Sequence, residues 1–443
     1  MGYFDEIAEK IGDDQWDEWK KRVLEASGEI ASFVAHRGSG GDSKFVNWFE
    51  GSFNFCLRVT FQNSEPDSII RFPGPGHTTF RDEKVTNEVN VIKFLHEQTN
   101  IPIPRLLSWG LTKDSPHHFG PFIISEFGDG VHLSDILKDP AYKRHLYLNP
   151  NIDGRLLENA FEQMSDILLQ LHQFDFPAIG AISKDESSNT WSVARRPLTY
   201  SMNELATTAF YPVEDFATSP FTSTSDYFRY LSRQHITHLR AQRNLSASRE
   251  EAREQYIVRH LFALLIDKYT TDDHGPFKLF CDDLRPQNIL VDPKTMRINA
   301  VLNLEFTNTM PSQYASEPPW WLLLAGPDSY LIRGRTMEDF QAAYEPFLEL
   351  FLKAMQRVES ANGLQHHASL SRLMREGWST KRFWFNYAAR KPFDVEDIFN
   401  SFLNDDSKGI ECLDDETRGA LEAFVQTKVE QLKAYDEECK LLL

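Results

Sequence analysis

Phe280-Cys281-Asp282-Asp283-Leu284-Arg285-Pro286-Gln287-Asn288-Ile289-Leu290-Val291-Asp292 is the stretch that decides how this chain folds. A carboxylate, Asp283, stands five positions before an amide, Asn288 (288 − 283 = 5). The apolar run Ile289-Leu290-Val291 predicts a short strand, and Asp292-Pro293-Lys294 a turn. A second β-type run follows from Ile298 to Leu302 and ends on a polar residue, Asn303.

This layout suits phosphoryl transfer from a nucleotide. An acceptor hydroxyl must meet a carboxylate that takes its proton, and the phosphates must meet a metal held by further oxygen ligands close by. The catalytic loop of kinases has the form D-L-x-x-x-N, with Asp as base and Asn as metal ligand. Asp283, Leu284 and Asn288 fit that form. Alone the motif is weak, because turns often carry an incidental Asp and Asn.

The segments around it are more specific. Cys281-Asp282-Asp283-Leu284-Arg285-Pro286, Val301-Leu302-Asn303-Leu304-Glu305-Phe306-Thr307 and Pro318-Pro319-Trp320-Trp321-Leu322-Leu323-Leu324 together resemble the fungal branch of the aminoglycoside phosphotransferase and choline kinase-like family. The resemblance implies an α+β, two-lobed protein-kinase-like fold. Its small N-lobe would hold an antiparallel sheet plus a helix, and its large C-lobe would be mainly helical. The branch usually reads V-I-D-W-E-F-T at the second segment. Asn303 stands where the family has the Asp that holds the catalytic metal, and Leu304 where it has Trp. An amide keeps an oxygen but loses the negative charge, which makes it a poorer ligand for magnesium. Asp282, Asp283 and Glu305 are the nearby carboxylates that could substitute.

Upstream, a helix is expected around Asp14 to Phe33, with Trp16, Trp19, Val23 and Leu24 as its apolar stripe. The Gly-rich patch Arg37-Gly38-Ser39-Gly40-Gly41 lacks the Lys and Ser/Thr of a P-loop and reads as a linker. Val46 to Phe61 predicts two strands about the turn Gly51-Ser52-Phe53-Asn54. A plain hairpin is the simpler reading of that segment. The resemblance makes Gly51, Ser52 and Phe53 the nucleotide-covering loop.

The strand Ser68 to Phe72 carries Arg71 where kinases carry a phosphate-pairing Lys. Arg offers a planar fork of donors that serves phosphate and carboxylate alike. Residues 82 to 98 read as a helix that turns Glu88 inward with Val85, Val89, Ile92 and Leu95. A carboxylate there wants a partner, and Arg71 is the candidate. The strand Pro121 to Phe127 runs into Gly128-Asp129-Gly130 and suits a hinge, with backbone at Glu126, Phe127 and Gly128 placed to read an adenine edge. The lobe boundary falls here: residues 1–127 form an N-terminal extension and nucleotide-binding lobe, and 128–443 a helical lobe with catalytic loop and acceptor site.

Beyond the hinge the chain reads as helical. His172 closes a core stripe and reads as a packed or capping histidine. Helices over Ser225–Arg243 and Arg249–Tyr269 are expected beside the acceptor, and Pro318 to Leu324 is expected to start a buried helix.

Composition bounds the function. The 443 residues carry 47 basic and 65 acidic side chains, a net charge of −18. That field disfavours nucleic acid and anionic membranes and is compatible with a cationic small-molecule acceptor. The four cysteines form no C-x-x-C pair, so neither zinc site nor disulfide framework is indicated. No signal peptide, lipidation motif or membrane span is evident, and a cytoplasmic setting is expected.

The expected activity is therefore an aminoglycoside phosphotransferase-like small-molecule kinase using ATP and magnesium. Asp283 would be the base, Asn288 and Asn303 the metal ligands, and Arg71 with Glu88 the phosphate clamp. Asn303 keeps two alternatives open: a diverged kinase-fold enzyme with other chemistry in fungal secondary metabolism, or a pseudokinase that only binds. The acceptor is not encoded in any transferable pattern.

Overall fold

Phe55, Leu57, Val59 and Phe61 alternate along the sequence and all four are buried, as a strand with one face on a core requires. In the computed structural model they lie on β2 (Asn54–Phe61), which pairs antiparallel with β1 (Ser43–Glu50) and β3 (Ser68–Pro73). Strands β4 (Leu106–Gly110) and β5 (Phe122–Glu126) complete a five-stranded antiparallel sheet ordered β1-β2-β3-β5-β4. All residues are described except 1–3, 39–40, 63–64, 143–144, 332, 365–368, 405–408 and 443. Ser39 and Gly40 of the Gly-rich patch thus lie outside the described residues.

Two helices precede the sheet, α1 (Glu6–Glu25) and α2 (Ser27–Arg37), in place of the single helix expected over Asp14–Phe33. The break is at Ala26, where φ −90° and ψ 10° end the first hydrogen-bond ladder. Trp16, Trp19 and Val23 pack with Phe55, Leu57 and Phe72 of the sheet, while Leu24 is only partly buried. Helix α3 (Arg81–Gln98) buries Val85, Glu88, Val89, Ile92 and Leu95, the face its spacing predicts.

The second lobe is mainly helical. After β6 (Val131–His132) and α4 (Leu133–Leu137), the long helix α5 (Gly154–His172) packs against the helix Met337–Ala361. The expectation of an all-helical segment is corrected by a hairpin, β7 (Ala181–Asp185) with β8 (Thr190–Arg195). Trp191 on β8 sets its ring against Phe94 of α3, 5.3 Å between centroids, so the hairpin braces the first lobe. Helices α6 (Tyr200–Thr208), α7 (Thr224–Ala241) and α8 (Arg249–Ala263) follow. The helix expected to run to Tyr269 stops at Ala263 and restarts at Ile266.

The decisive stretch forms β9 (Lys278–Cys281), a 3-10 turn over Pro286–Asn288, β10 (Ile289–Val291) and β11 (Ile298–Val301), which pairs antiparallel with β10. A further strand, β12 (Thr307–Met310), pairs back onto β9. The buried helix expected from Pro318 is a 3-10 turn at Trp320–Leu323, ended by Leu324 in a left-handed conformation. The two-lobed α+β organisation implied by the resemblance is thus present. Among the described residues no helix is long and apolar enough to cross a membrane.

Candidate active site

Asp283 lies between β9 and the 3-10 turn, and the turn sets its surroundings. The Asn288 side-chain amide donates to Asp283 Oδ2 at 2.7 Å and to the Asp283 carbonyl oxygen at 2.8 Å. Arg285 Nε lies 2.7 Å from Asp283 Oδ1, an ion pair without hydrogen-bond alignment. Burial pushes the Asp283 carboxyl above its ordinary value, while Arg285 and the Asn288 amide pull it back down.

Asn303 follows β11 with φ of 54°, a left-handed conformation that Asn tolerates better than most residues. The turn sets its side chain between the lobes. Its Oδ1 accepts from Arg71 Nη1 at 3.0 Å, and its Nδ2 donates to Asn288 Oδ1 at 2.8 Å. Arg71 Nη2 lies 2.5 Å from Glu88 Oε2, the partner the helix periodicity calls for. A continuous line of polar side chains therefore runs Glu88–Arg71–Asn303–Asn288–Asp283–Arg285. Burial works against the charge on Arg71, but Glu88 and Glu305 outweigh it and keep the guanidinium protonated.

A second knot lies beside this line. Lys84 Nζ is 2.5 Å from Glu305 Oε2 and donates to Asn54 Oδ1 at 3.0 Å, and Asn54 Nδ2 donates to Glu305 Oε2 at 2.8 Å. Lys84 and Glu305 are only 2% and 3% exposed, so the pair is nearly dry. Asn54 ends the covering loop, Lys84 is on α3 one turn before Glu88, and Glu305 follows Asn303. The knot thus ties the β1–β2 loop, α3 and the segment after β11 together. Beside it, Phe53, Tyr200 of α6 and Phe306 form an aromatic triangle with centroids 5.4 to 5.8 Å apart.

One interlobe cleft of about 670 Å³ is lined by every candidate site residue: Gly51, Ser52, Phe53, Arg71, Glu88, Glu126, Phe127, Gly128, Asp283, Asn288 and Asn303. Two of the N–H groups at the expected hinge are already engaged. The N–H of Glu126 donates to the Arg105 carbonyl oxygen at 3.0 Å and that of Phe127 to the Asp67 carbonyl oxygen at 2.8 Å. Both amides are therefore engaged at the ends of β3 and β4, and Gly128 supplies the remaining N–H. Helices α7 and α8, expected beside the acceptor, give the cleft no residue; Tyr200 of α6 does.

The carboxylates of the cleft are all paired. Among the described residues that line it, Glu50 meets Lys20, Glu88 meets Arg71, Glu126 meets Arg105, Asp135 meets Lys138, Asp283 meets Arg285 and Glu305 meets Lys84. Asp282, the other candidate replacement, is bound to Arg390, which also holds Glu317. Magnesium wants unencumbered, preferably anionic oxygens in near-octahedral order. The Asn288 and Asn303 oxygens are neutral and already accept hydrogen bonds, and neither Asp282 nor Glu305 takes up the missing charge. This donor set does not fit the metal that the resemblance implies. Among the described residues no group of three or more His, Cys, Asp or Glu side chains is arranged to hold a metal ion.

Sequence reading passed over Asn54, Lys84 and Tyr200. Lys84 had a local signal: it lies four residues before Glu88 and so shares its face. Asn54 and Tyr200 had none, since their partners lie far away along the chain.

The sequence model described as Phosphotransferase enzyme family matches residues 58–311, more than half of the chain. No curated protein sequence matches it. Among solved structures, a putative aminoglycoside phosphotransferase from Ralstonia eutropha is 12% identical and aligns over 91% of this chain and 97% of that one, with a TM-score of 0.45. An ethanolamine kinase from Plasmodium vivax is 14% identical over 89% of this chain and 82% of its own, with a TM-score of 0.43. Aminoglycoside phosphotransferase APH(4)-Ia is 12% identical over 91% and 99%, also at 0.43.

Proposed function

The chain belongs to the phosphotransferase enzyme family, and from that premise we propose that it is a small-molecule kinase moving the γ-phosphate of ATP to a hydroxyl of a small metabolite. The observation that carries this reading is the Asp283 carboxylate, partly buried in the cleft and oriented by Asn288 and Arg285. The acceptor O–H gives its proton to Asp283 as its oxygen bonds to the γ-phosphorus. The bond from that phosphorus to the bridging oxygen breaks, and ADP leaves with the electron pair.

ATP lies along the cleft in this reading. Its adenine enters the apolar slot of Ile69, Ile92, Ile123, Leu290 and Val301, with the Gly128 N–H at its edge. Gly51, Ser52 and Phe53 cover the phosphates, and Arg71, held by Glu88, meets their charge. The acceptor approaches from the Tyr200 side. Burial pushes the Glu204 carboxyl there up to about 7 against Lys391, with Asp328 and Asp282 adding to the rise. The net charge of −18 favours a cationic hydroxylated acceptor. No step passes through a divalent ion, because the donor set does not fit one.

The test is ADP formation and a new phosphate ester, followed by phosphorus NMR, with ATP and a panel of hydroxylated amines. Transfer by the natural protein that is lost in Asp283→Asn supports the reading. ATP binding without transfer to any acceptor sinks it. That second outcome is the one expected of a diverged, non-transferring cleft, a reading favoured by one observation: both Asn303 side-chain atoms are committed to Arg71 and Asn288.

A further inference from the structure

We infer that this cleft binds its nucleotide without a divalent cation, the positive charge being supplied by Arg71 released from Asn303. The inference rests on the nucleotide reading of the cleft and goes beyond it by assigning the charge carrier.

Three observations carry it. First, the lining carboxylates are each paired to a protein cation, so none is left to attract a metal. Second, a carboxylate at position 303 would stand against the incoming phosphates, and two anions in one low-dielectric cleft need a cation between them. The Asn303 amide removes that repulsion and with it the need for a bridging ion. Third, the contact from Arg71 to Asn303 is a single hydrogen bond of 3.0 Å to a neutral oxygen. A phosphate oxygen is the stronger acceptor for a guanidinium and displaces it. Arg71 keeps its ion pair with Glu88 meanwhile and so stays aimed at the cleft. An Asp at 303 would hold Arg71 by charge and oppose that exchange.

Asn303 also loses little when Arg71 leaves, since its Nδ2 stays bound to Asn288 Oδ1. The Asn288 amide goes on orienting Asp283. Nucleotide entry thus rearranges one hydrogen bond rather than assembling a coordination shell.

The experiment is titration calorimetry of ATP into the full chain at constant ionic strength, once with millimolar magnesium and once with EDTA. The same pair of titrations is run on Asn303→Asp, with its melting temperature checked. For the natural protein the dissociation constant is expected to differ by less than about threefold between the two conditions. For Asn303→Asp, magnesium is expected to tighten binding by about tenfold or more. Tightening of that size in the natural protein overturns the inference while leaving the nucleotide reading intact. Binding seen only with Asn303→Asp and magnesium overturns the inference together with the nucleotide reading of the natural protein. Absence of ATP binding by both proteins in both conditions removes the nucleotide reading itself. The natural protein alone decides the case if the variant fails to fold.

Discussion

Arg71 donates a hydrogen bond to the side-chain oxygen of Asn303, joining the middle of the first-lobe sheet to the start of the segment that follows the β10–β11 hairpin. The two residues are 232 positions apart. Through this contact the α3 carboxylate Glu88 is linked, by way of Asn288, to the proposed base Asp283.

Asp283→Asn is expected to lower the transfer rate by about 10²–10⁴-fold, the usual contribution of a positioned general base. Nucleotide binding should stay within about threefold, because the amide is isosteric and the loop and Arg71 are untouched. Calorimetry and steady-state kinetics on one preparation separate the two effects. A parallel loss of binding would show that Asp283 holds the cleft together rather than acting on the acceptor.

The pH profile should follow the pairing of Asp283 with Arg285. A base works when deprotonated, so activity is lost as pH falls through the Asp283 pKa. Burial raises that pKa and Arg285 lowers it. Arg285→Gln removes the lowering influence and should move the acid limb of kcat to higher pH. An unmoved limb in a folded variant would mean that another group sets it.

Lys84→Met should destabilise the fold by about 3–5 kcal/mol, since it leaves the Glu305 carboxylate buried without its cation. Burial works to raise the Glu305 carboxyl, but Lys84 and Arg71 outweigh it, so it titrates below the ordinary value. Its stabilising contribution is therefore present above the unfolded-state pKa and is lost as pH falls through the folded one. In Lys84→Met the acid-unfolding midpoint should rise, and adding Glu305→Gln should recover part of the loss. Urea melts across acidic pH measure both.

The covering loop should respond to changes at α1. Trp16 Nε1 donates to Glu50 Oε1 at 2.8 Å, just before Gly51, and Lys20 lies 3.0 Å from the same oxygen. His77 stacks on Trp16 and donates from Nδ1 to the Ser52 carbonyl oxygen at 3.0 Å. This docking needs Gly76, whose φ is +81° and whose added Cβ would run into the carbonyl oxygen of Gly12. Gly76→Ala should cost about 1–3 kcal/mol of stability and raise the KM for ATP more than it changes kcat. A stability loss with no change in KM would separate α1 from the loop.

What the sequence determined is what local pattern carries. Period-two alternation marked β2, and helical spacing turned Glu88 inward toward a cation on the preceding strand, β3. The D-L-x-x-x-N spacing placed Asp283 within reach of Asn288, because five residues of turn leave few ways to bond. Turn chemistry is legible only in part: the β7–β8 hairpin carries a Ser-Ser-Asn turn, with Asn189 left-handed, inside a stretch whose neighbours read as helical. Tertiary structure decided the rest. The meeting of Asn54 with Glu305 spans 251 positions, and Arg390 reaches Asp282 across 108. Whether the hinge N–H groups are open to a ligand depends on which strand edges they pair with. Whether Asn303 is open to a metal depends on where Arg71 points. Periodicity records only which way a side chain faces on its own element. The partner it finds there is set by how the two lobes pack, and that alone fixes which charges in the cleft are already answered.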